Sequence, residues 1–339
     1  MKTTMISSLS TALLCALLIS SASAKDKPGE PNNWGKWGKD DQRGAANYIT
    51  AKQVKEAATL ISSGKVFSLA IPIDNAGPVY PGRIPPQHIM VATGADYVAG
   101  QGNLIGKMKF ADDYIYMPLQ GSTQWDALSH AWYGQSLYNG FDQAVVKSAP
   151  AAGGATKLGI ENVKTSFVGR GVLIDVLAHF QEHKGGSLAP GYMITRKDIT
   201  DTLKAQGTKV SKGDIVIIRT GFVPGYYKLT DPLKKMAYVA GPHTGIGPDV
   251  VGWVDEMEIA GIAADNLALE VLPNPVPENT LSIHGSLLRD LGVYIGEIWW
   301  LEELSADCAE DGRYEFFLAA QALNIPGAVG SPLNPIAIK

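Results

Sequence analysis

Polar side chains recur at every second position through a stretch of the sequence that is otherwise apolar and aromatic. They are Gln120, Ser122, Gln124 and Asp126. In an extended strand alternate residues share a face, so these side chains would all point to one side. A solvated edge face would show the same pattern. The apolar and aromatic residues 114–117 and the aromatic residues that follow favour a partly buried cleft, where converging polar groups form a candidate site.

A second candidate group lies near the C-terminus. Residues 293–299 read as a strand in which Glu297 shares one face with apolar neighbours, and a short helix that begins at His284 precedes this strand. An isolated buried carboxylate is costly, so Glu297 needs a cation or a partner that shares a proton. A salt bridge to Arg219 would meet this need. A binding site shared with His284 would meet it equally.

The residues around Gln120 resemble the motif of the cyclase family, which includes kynurenine formamidase, isatin hydrolase and trans-dienelactone hydrolase. The family carries His-x-Gly-Thr-His-x-Asp-Ala-Pro-x-His, and this sequence keeps four of its positions: Thr123, Asp126, Ala127 and His130. Four positions depart from it, with glutamine for two metal-binding histidines, serine for glycine and leucine for proline: Gln120, Gln124, Ser122 and Leu128. The resemblance continues to a strand that ends in Arg-Thr-Gly at 219–221 and spans most of residues 45–325.

The resemblance implies an α/β fold, a swivelling β/β/α domain with a mixed central sheet. The family's His-x-x-Leu-Leu helix and the glutamate of the following strand complete a metal site, which places the implied ligands at Asp126, His284, Glu297, Gln120 and Gln124. Glutamine is a weaker ligand than imidazole for Zn²⁺, so a single divalent ion, Mn²⁺ or Zn²⁺, is expected rather than a binuclear zinc pair. The implied catalytic residues are His130, which acts as acid and base, together with Asp126 and Glu297.

The implied reaction is the hydrolytic opening, or the closing, of a cyclic or aryl amide, imide or lactone. A bound metal would polarise the carbonyl and lower the pKa of its water towards ~7. Kynurenine formamidase itself is disfavoured because both metal-binding histidines are replaced and an export signal is expected.

Two alternatives need no metal. In one, the amides of Gln120 and Gln124 hydrogen-bond a substrate carbonyl, while Asp126–His130 or Glu297–His284 acts as an acid/base pair. In the other, the chain is a non-catalytic binder of a small molecule. The titratable groups of Asp126, His130, His284 and Glu297 favour an enzyme, because a protein that only binds a ligand would have little need of four such groups.

Aromatic residues beside the motif are candidates for the wall of a pocket that holds a flat ring. We predict that Trp125 and Trp132 bind substrate together with Gln120 and Gln124, although core packing explains each indole equally well. The predicted partner is therefore a small aromatic or cyclic molecule.

Residues 1–24 have the features of a secretory signal peptide: Lys2, an apolar core at 13–19, and small residues before a cleavage site. Cleavage would remove one base, Lys2, from 29 and leave 33 acids, a formal charge of −5. No basic run is present, so nucleic acid is not an expected partner. We expect residues 25–339 to form one periplasmic or secreted domain that is not membrane-bound after cleavage and that assembles as a homo-oligomer.

Several elements that would position the site have local signals. Thr50 and Thr195 carry capping signals for helices, Gly207 ends the second of these, and Pro248 opens another. Alternation at 67–73 and apolar runs at 171–177, 214–221 and 261–266 predict strands. Residues 32–48 read as an irregular N-terminal arm, and the prolines of 75–110 predict loops that contain His88. His179 and His183 are expected to be solvated.

Overall fold

A computed structural model describes residues 27–102, 107–148, 153–180, 187–276 and 280–339. The predicted signal peptide, residues 1–24, and His183 lie outside these ranges. Within them, no helix is both long and apolar enough to cross a bilayer.

Strands of the described residues form one large sheet and three two-stranded ribbons. They are β1 Val66–Ser68, β2 Gln87–Ala92, β3 Asp112–Tyr116, β4 Gln124–Asp126, β5 Val146–Lys147, β6 Gly154–Ala155, β7 Val168–Ile174, β8 Met193–Ile194, β9 Ile215–Ile218, β10 Gly245–Ile246, β11 Gly261–Ala264, β12 Tyr294–Glu297, β13 Glu315–Ala319, β14 Gly330–Pro332 and β15 Ile336–Ile338.

The large sheet is mixed, as the resemblance implies. Its order is β1-β15-β13-β7-β9-β11-β12-β4-β14. Strands β7, β9, β11 and β12 run parallel, whereas β4 pairs antiparallel with both β12 and β14. Strands β9 and β11, at the centre of this parallel group, are buried along their whole length, which explains their continuous apolar sequences.

Helices surround the sheet in the described residues. They are α1 Ala51–Ala58, α2 Gly94–Val98, α3 Val176–His179, α4 Arg196–Gln206, α5 Phe222–Tyr227, α6 Pro232–Ala240, α7 Asp249–Glu256, α8 Ser282–His284 and α9 Glu302–Asp311, with a π-helix at Gly285–Leu291 and 3₁₀ turns at Gly44–Tyr48, Tyr138–Gly140, Gln143–Val145 and Ile160–Val163. Thr50 and Thr195 form the predicted capping boxes, and Gly207 ends α4 in the left-handed conformation.

The aromatic core lies on one face of β4 and β12. The Trp125 ring stacks 4.7 Å from Phe167 and meets Trp299 edge-on at 5.2 Å. A Cβ at Gly296 would come within 2.8 Å of the Trp125 ring, so glycine lets the indole cross β12 closely. Since alternate residues face opposite sides, the neighbours of Trp125 and Gly296 point away from this core.

Several predicted strands are shorter than their alternating patterns. The predicted strand 67–73 is reduced to β1, and the predicted strand 293–299 ends at Glu297 because Ile298 has a φ of +61°. The polar alternation of residues 120–126 is extended only in β4, while Gln120 and Ser122 lie in turns. Gln120 therefore reaches His130 from a turn rather than along a strand face.

The proline-rich segment 75–110 is less irregular than predicted, because it contains α2 and the strand β2. Among the described strands, β2 and β3 pair only with each other, and both are almost entirely exposed. Their large apolar residues are exposed to between 47% and 66%: Ile89, Met90, Val91, Tyr114, Ile115 and Tyr116.

Candidate functional site

Adjacent antiparallel strands bring two halves of the site together. In the register of β12 and β4, Glu297 lies opposite Gln124, and Ile295 lies opposite Asp126. Gln124 Nε2 donates to Glu297 Oε2 at 2.6 Å. Asp126, two residues along β4, shares the face of Gln124 and is fully buried. Thr123 supports this arrangement because its hydroxyl donates to the Ile298 carbonyl at 2.5 Å.

His284 enters the same cluster from the short helix α8. Its Nε2 lies 3.3 Å from Glu297 Oε1 and 3.8 Å from Asp126 Oδ2. Its other ring nitrogen, Nδ1, lies 2.6 Å from Glu270 Oε1. Burial by itself would lower the pKa of His284, but the hydrogen bonds with Glu270 and Glu297 outweigh it and raise that pKa to about 10. Without an ion the ring is therefore a cation between carboxylates.

Glu270 is a residue of the candidate site that the sequence reasoning missed. Its fully buried carboxylate accepts the backbone N–H groups of Ile283 and His284 at 3.3 and 2.9 Å, and the Asn274 side chain also donates to it. The available signal was a single carboxylate in the apolar segment 267–272, the same argument that identified Glu297.

Asp126 is a buried carboxylate without hydrogen bonds. Neither of its oxygens has a hydrogen-bond partner among the described residues, and an imidazole nitrogen of His130 and one of His284 each lie 3.8 Å from the carboxylate. Burial is the main cause that raises the pKa of Asp126 to about 6, and Glu297 adds to this while His130 and His284 oppose it. A carboxylate in such a position needs a cation nearby or must take up a proton.

The residues present fit a divalent ion. One ligand atom each from Asp126, His284 and Glu297 lies within 4.8 Å of the others, and all three residues are buried. The two unpartnered oxygens of Asp126 and the unpartnered Oε1 of Gln124 supply further oxygen donors of the kind hard cations take. Glu270 holds the far side of the His284 ring, as outer carboxylates do at metal sites.

His130 lies at the edge of this cluster. Its Nε2 is 3.8 Å from Asp126 Oδ1, its Nδ1 is 3.4 Å from Gln120 Nε2, and its side chain is 21% exposed. Burial lowers the pKa of His130, so its ring is neutral near pH 7. The Gln120 amide packs against Gly330, where a Cβ would lie 2.4 Å from the amide nitrogen, so only glycine leaves room for it.

A small cavity of about 60 Å³ opens onto the cluster. Its walls combine groups from five separate parts of the chain: Tyr80, Arg83, His130, Leu267, Ala268, Leu281, His284 and Glu297. Arg83 was not singled out from the sequence. It comes from the proline-rich segment 75–86, and its Nη1 donates to the Gln120 carbonyl at 3.1 Å.

The prediction that Trp125 lines the pocket is wrong. Its indole is fully buried and donates to the Ala320 carbonyl at 2.8 Å, because it faces the core side of β4, opposite to Asp126. Trp299 is buried in the same core. Trp132 lies with His130 at the rim of a neighbouring depression of about 230 Å³, and its indole donates to Gln143.

The structure also shows the contacts of Arg219, the alternative partner of Glu297, and of two other histidines. Arg219 does not pair with Glu297, since its guanidinium binds Asp175 and Glu302 instead. His88 lies on the exposed β2–β3 ribbon and pairs with Asp113 at 2.6 Å. His179 packs its ring 5.1 Å from Phe180.

Fold and site together define a mixed α/β protein with a buried carboxylate–histidine cluster beside the end of a parallel strand. The chain belongs to the cyclase family, whose family model matches residues 67–271. A solved structure of a novel cyclase is 63% identical, with a TM-score of 0.85 over 91% of this chain and 97% of that one. No curated protein matches the chain.

More distant solved structures share the fold. Isatin hydrolase A from Labrenzia aggregata, bound to benzyl benzoate, is 17% identical, with a TM-score of 0.56 over 84% of this chain and 97% of that one. Isatin hydrolase A from Ralstonia solanacearum is 17% identical, with a TM-score of 0.55 over 86% and 98%. At this identity the likeness concerns the arrangement of the sheet and helices.

Proposed function

We propose that the chain is a metal-dependent hydrolase that opens, or closes, a cyclic or aryl amide, imide or lactone. The observation that carries this proposal is the buried, unpartnered carboxylate of Asp126 beside His284 and Glu297. A protein that only packed its core would not keep an acid there without hydrogen bonds. Membership of the cyclase family supports an enzyme.

Asp126, His284 and Glu297 would hold the ion, and Gln124 Oε1, on the same strand face as Asp126, is an additional candidate donor. An ion in this position supplies Lewis-acid polarisation of a carbonyl and a water of lowered pKa. Mn²⁺ fits a site with mostly oxygen donors, and Zn²⁺ is the second candidate because it accepts one imidazole with carboxylates.

His130 would move the proton. Its neutral ring lies at the cavity wall with one nitrogen towards Asp126 and the other towards Gln120. A neutral imidazole can accept a proton during attack and return it to the leaving nitrogen or oxygen. Gln120 would fix the ring plane, and Arg83, which donates to the Gln120 backbone, would fix the turn that carries it.

The substrate would be small. The cavity at the cluster, about 60 Å³, admits the reacting carbonyl group, and the rest of a cyclic or aromatic molecule would occupy the space outside it. Trp132 is placed at the rim beside His130, where an indole can contact a ring.

The decisive experiment compares metal content with turnover. Purified mature protein is assayed on lactones, imides and aryl formamides before chelation, after exhaustive chelation, and after Mn²⁺ or Zn²⁺ is returned. The proposal expects loss and recovery of turnover. Full turnover in metal-free protein would contradict it and favour the acid/base enzyme. A protein with no turnover in any state, which His130→Ala does not change, would be the small-molecule binder.

Export and assembly are further proposals. Residues 1–24 support cleavage after Ala24 and a periplasmic or secreted product, which N-terminal sequencing of exported protein would test. The exposed apolar ribbon of β2 and β3 supports a homo-oligomer, because an isolated two-stranded ribbon is marginally stable in water. Light scattering of the purified protein tests this.

A further inference from the structure

A larger groove adjoins the small cavity of the site. It has a volume of about 710 Å³ and lies between residues 75–85 and helix α6. The groove and the small cavity share two wall residues, Tyr80 and Arg83. Its size is that of a small-molecule site, whereas the cavity at the metal ligands alone is too small for a whole ring.

The walls of this groove are apolar apart from a few polar groups, and the charged residues among them are all basic. Arg83 and Lys235 both line it, and no acidic residue stands among its described lining residues. The Tyr226 hydroxyl donates to the carbonyl groups of Ala76 and Gly77 at 3.1 and 3.3 Å, so the loop and helix α5 are tied together.

Most N–H donors of the Arg83 side chain form no hydrogen bond with the described residues. Among the described residues its one side-chain hydrogen bond goes to the Gln120 carbonyl, and no carboxylate lies within ion-pair distance of it. Its guanidinium packs 5.8 Å from the Tyr80 ring centre and is only partly exposed. A guanidinium has five N–H donors, so most of them remain available to an anion.

Lys235 supplies the second cation. Its Nζ lies 4.5 Å from the Tyr226 ring centre and 5.7 Å from that of Tyr227, and it forms no ion pair within the described part of the chain. The nearby acid, Asp74, uses its Oδ1 to accept the N–H groups of its own loop at Ala76 and Gly77. The described lining of the groove therefore carries two basic side chains and no carboxylate.

We propose that this groove binds the body of the substrate and that the substrate carries a carboxylate, which Arg83 and Lys235 recognise. This inference rests on the proposed function, because it places the reacting carbonyl in the small cavity next to Glu297. A planar carboxylate matches the fork of a guanidinium and leaves the apolar walls to an aliphatic or aromatic ring. The substrate class is then a carboxylated cyclic or aryl amide, imide or lactone.

Binding of benzoate, benzamide and phenyl phosphate to the full-length mature protein tests this inference. The first two share a ring and differ in charge, while the third offers an alternative anion. Calorimetry is carried out in the presence of metal and again after chelation. We expect benzoate to bind roughly tenfold or more tightly than benzamide in both states, since charge-assisted hydrogen bonds are of that size.

Substitutions show which residues cause the preference for benzoate over benzamide. Arg83→Met and, independently, Lys235→Met should each reduce the preference, Arg83→Lys should retain part of it, and Lys234→Met, an exposed neighbour on α6, is the matched control. Equal binding of benzoate and benzamide, or a preference that survives both methionine variants, would overturn the inference. So would tighter binding of phenyl phosphate than of benzoate. Because the chelated protein is measured too, the result does not depend on whether the hydrolase proposal holds.

Discussion

Glu270 Oε1 lies 2.6 Å from Nδ1 of His284 and also accepts the backbone N–H of that residue at 2.9 Å. The carboxylate thereby sets both the position of the helix α8 backbone and the rotation of the imidazole. With Nδ1 donating to Glu270, the opposite nitrogen, Nε2, is directed to Asp126 and Glu297. The fold thus aims one ring nitrogen at the candidate ion site.

We expect Glu270→Gln to lower metal affinity about 10- to 100-fold, because an outer carboxylate orients a ligating histidine and raises its basicity. Titration of Mn²⁺ or Zn²⁺ into chelated protein measures this. Glu302→Gln, which removes a carboxylate that pairs with Arg219, is the matched control. Equal metal affinities of the wild type and Glu270→Gln would show that Glu270 does not contribute to metal binding.

Asp126→Asn should increase the free energy of unfolding of the metal-free protein at pH 8. The buried Asp126 carboxyl group binds its proton more tightly in the folded than in the unfolded state. The stability that the protonated group contributes is therefore lost as the pH rises from about 4 to about 6. A pKa raised from 3.8 to about 6 corresponds to ~3 kcal/mol. Denaturant unfolding measures the change.

Asp265→Asn is the comparison for that variant and should stabilise the protein less, although burial raises the pKa of Asp265 to about 6 as well. Asp265 is equally buried, but its carboxylate accepts the Thr220 N–H, the Thr220 hydroxyl and the Gly221 N–H at 2.6–2.7 Å. An amide would set an N–H against one of these donors and cost about 1–3 kcal/mol. Equal stabilisation by both variants, or stabilisation by neither, would contradict the distinction.

Metal affinity should rise with pH. In the ion-free site His284 has a pKa of about 10, so it is protonated at neutral pH and must lose that proton to ligate. Release of one proton makes affinity increase about tenfold per pH unit between pH 6.5 and 8.5. Competition with a chelator of known pH dependence measures the slope, and a flat profile would show that His284 is not a ligand.

His130→Ala should lower turnover by about 10²–10⁴-fold while metal content stays unchanged, since the ring lies outside the ligand cluster and acts on protons. His88→Ala, which removes a histidine of the exposed ribbon, is the matched control. Loss of metal together with activity would instead make His130 a ligand.

Gln124→His should tighten Zn²⁺ binding. The Gln124 amide points at Glu297 from the strand face of Asp126, so an imidazole there can reach the same ion, and imidazole is the better zinc ligand. Zinc titration of the chelated variant checks this. An unchanged affinity would show that residue 124 lies outside the coordination sphere.

Many local elements could be predicted because their causes are local. The capping boxes at Thr50 and Thr195, the left-handed Gly207 and the apolar strand β9 depend on neighbours within a few positions. The motif around Asp126 and the family resemblance were sufficient to bring His130, His284 and Glu297 into one candidate site before any distance was known.

Strand lengths and side-chain directions could not be predicted from the local sequence. The alternation through Gln120 continues past the point where the backbone turns, and the indole of Trp125 takes the opposite face of β4 from the predicted site. Periodicity shows which residues share a face, whereas the packing of Phe167 and Trp299 decides which face is the core.

The sequence by itself determined the family, the mixed α/β class and the chemical types available: two carboxylates and two histidines at fixed spacings. Only the tertiary structure supplied Glu270 behind His284 and Arg83 at the shared wall of the cavity and the groove. Both residues come from segments with no motif, and their roles arise from contacts across 14 and 37 positions of the chain. Such contacts depend on how loops close over the sheet, a property that local spacing does not encode.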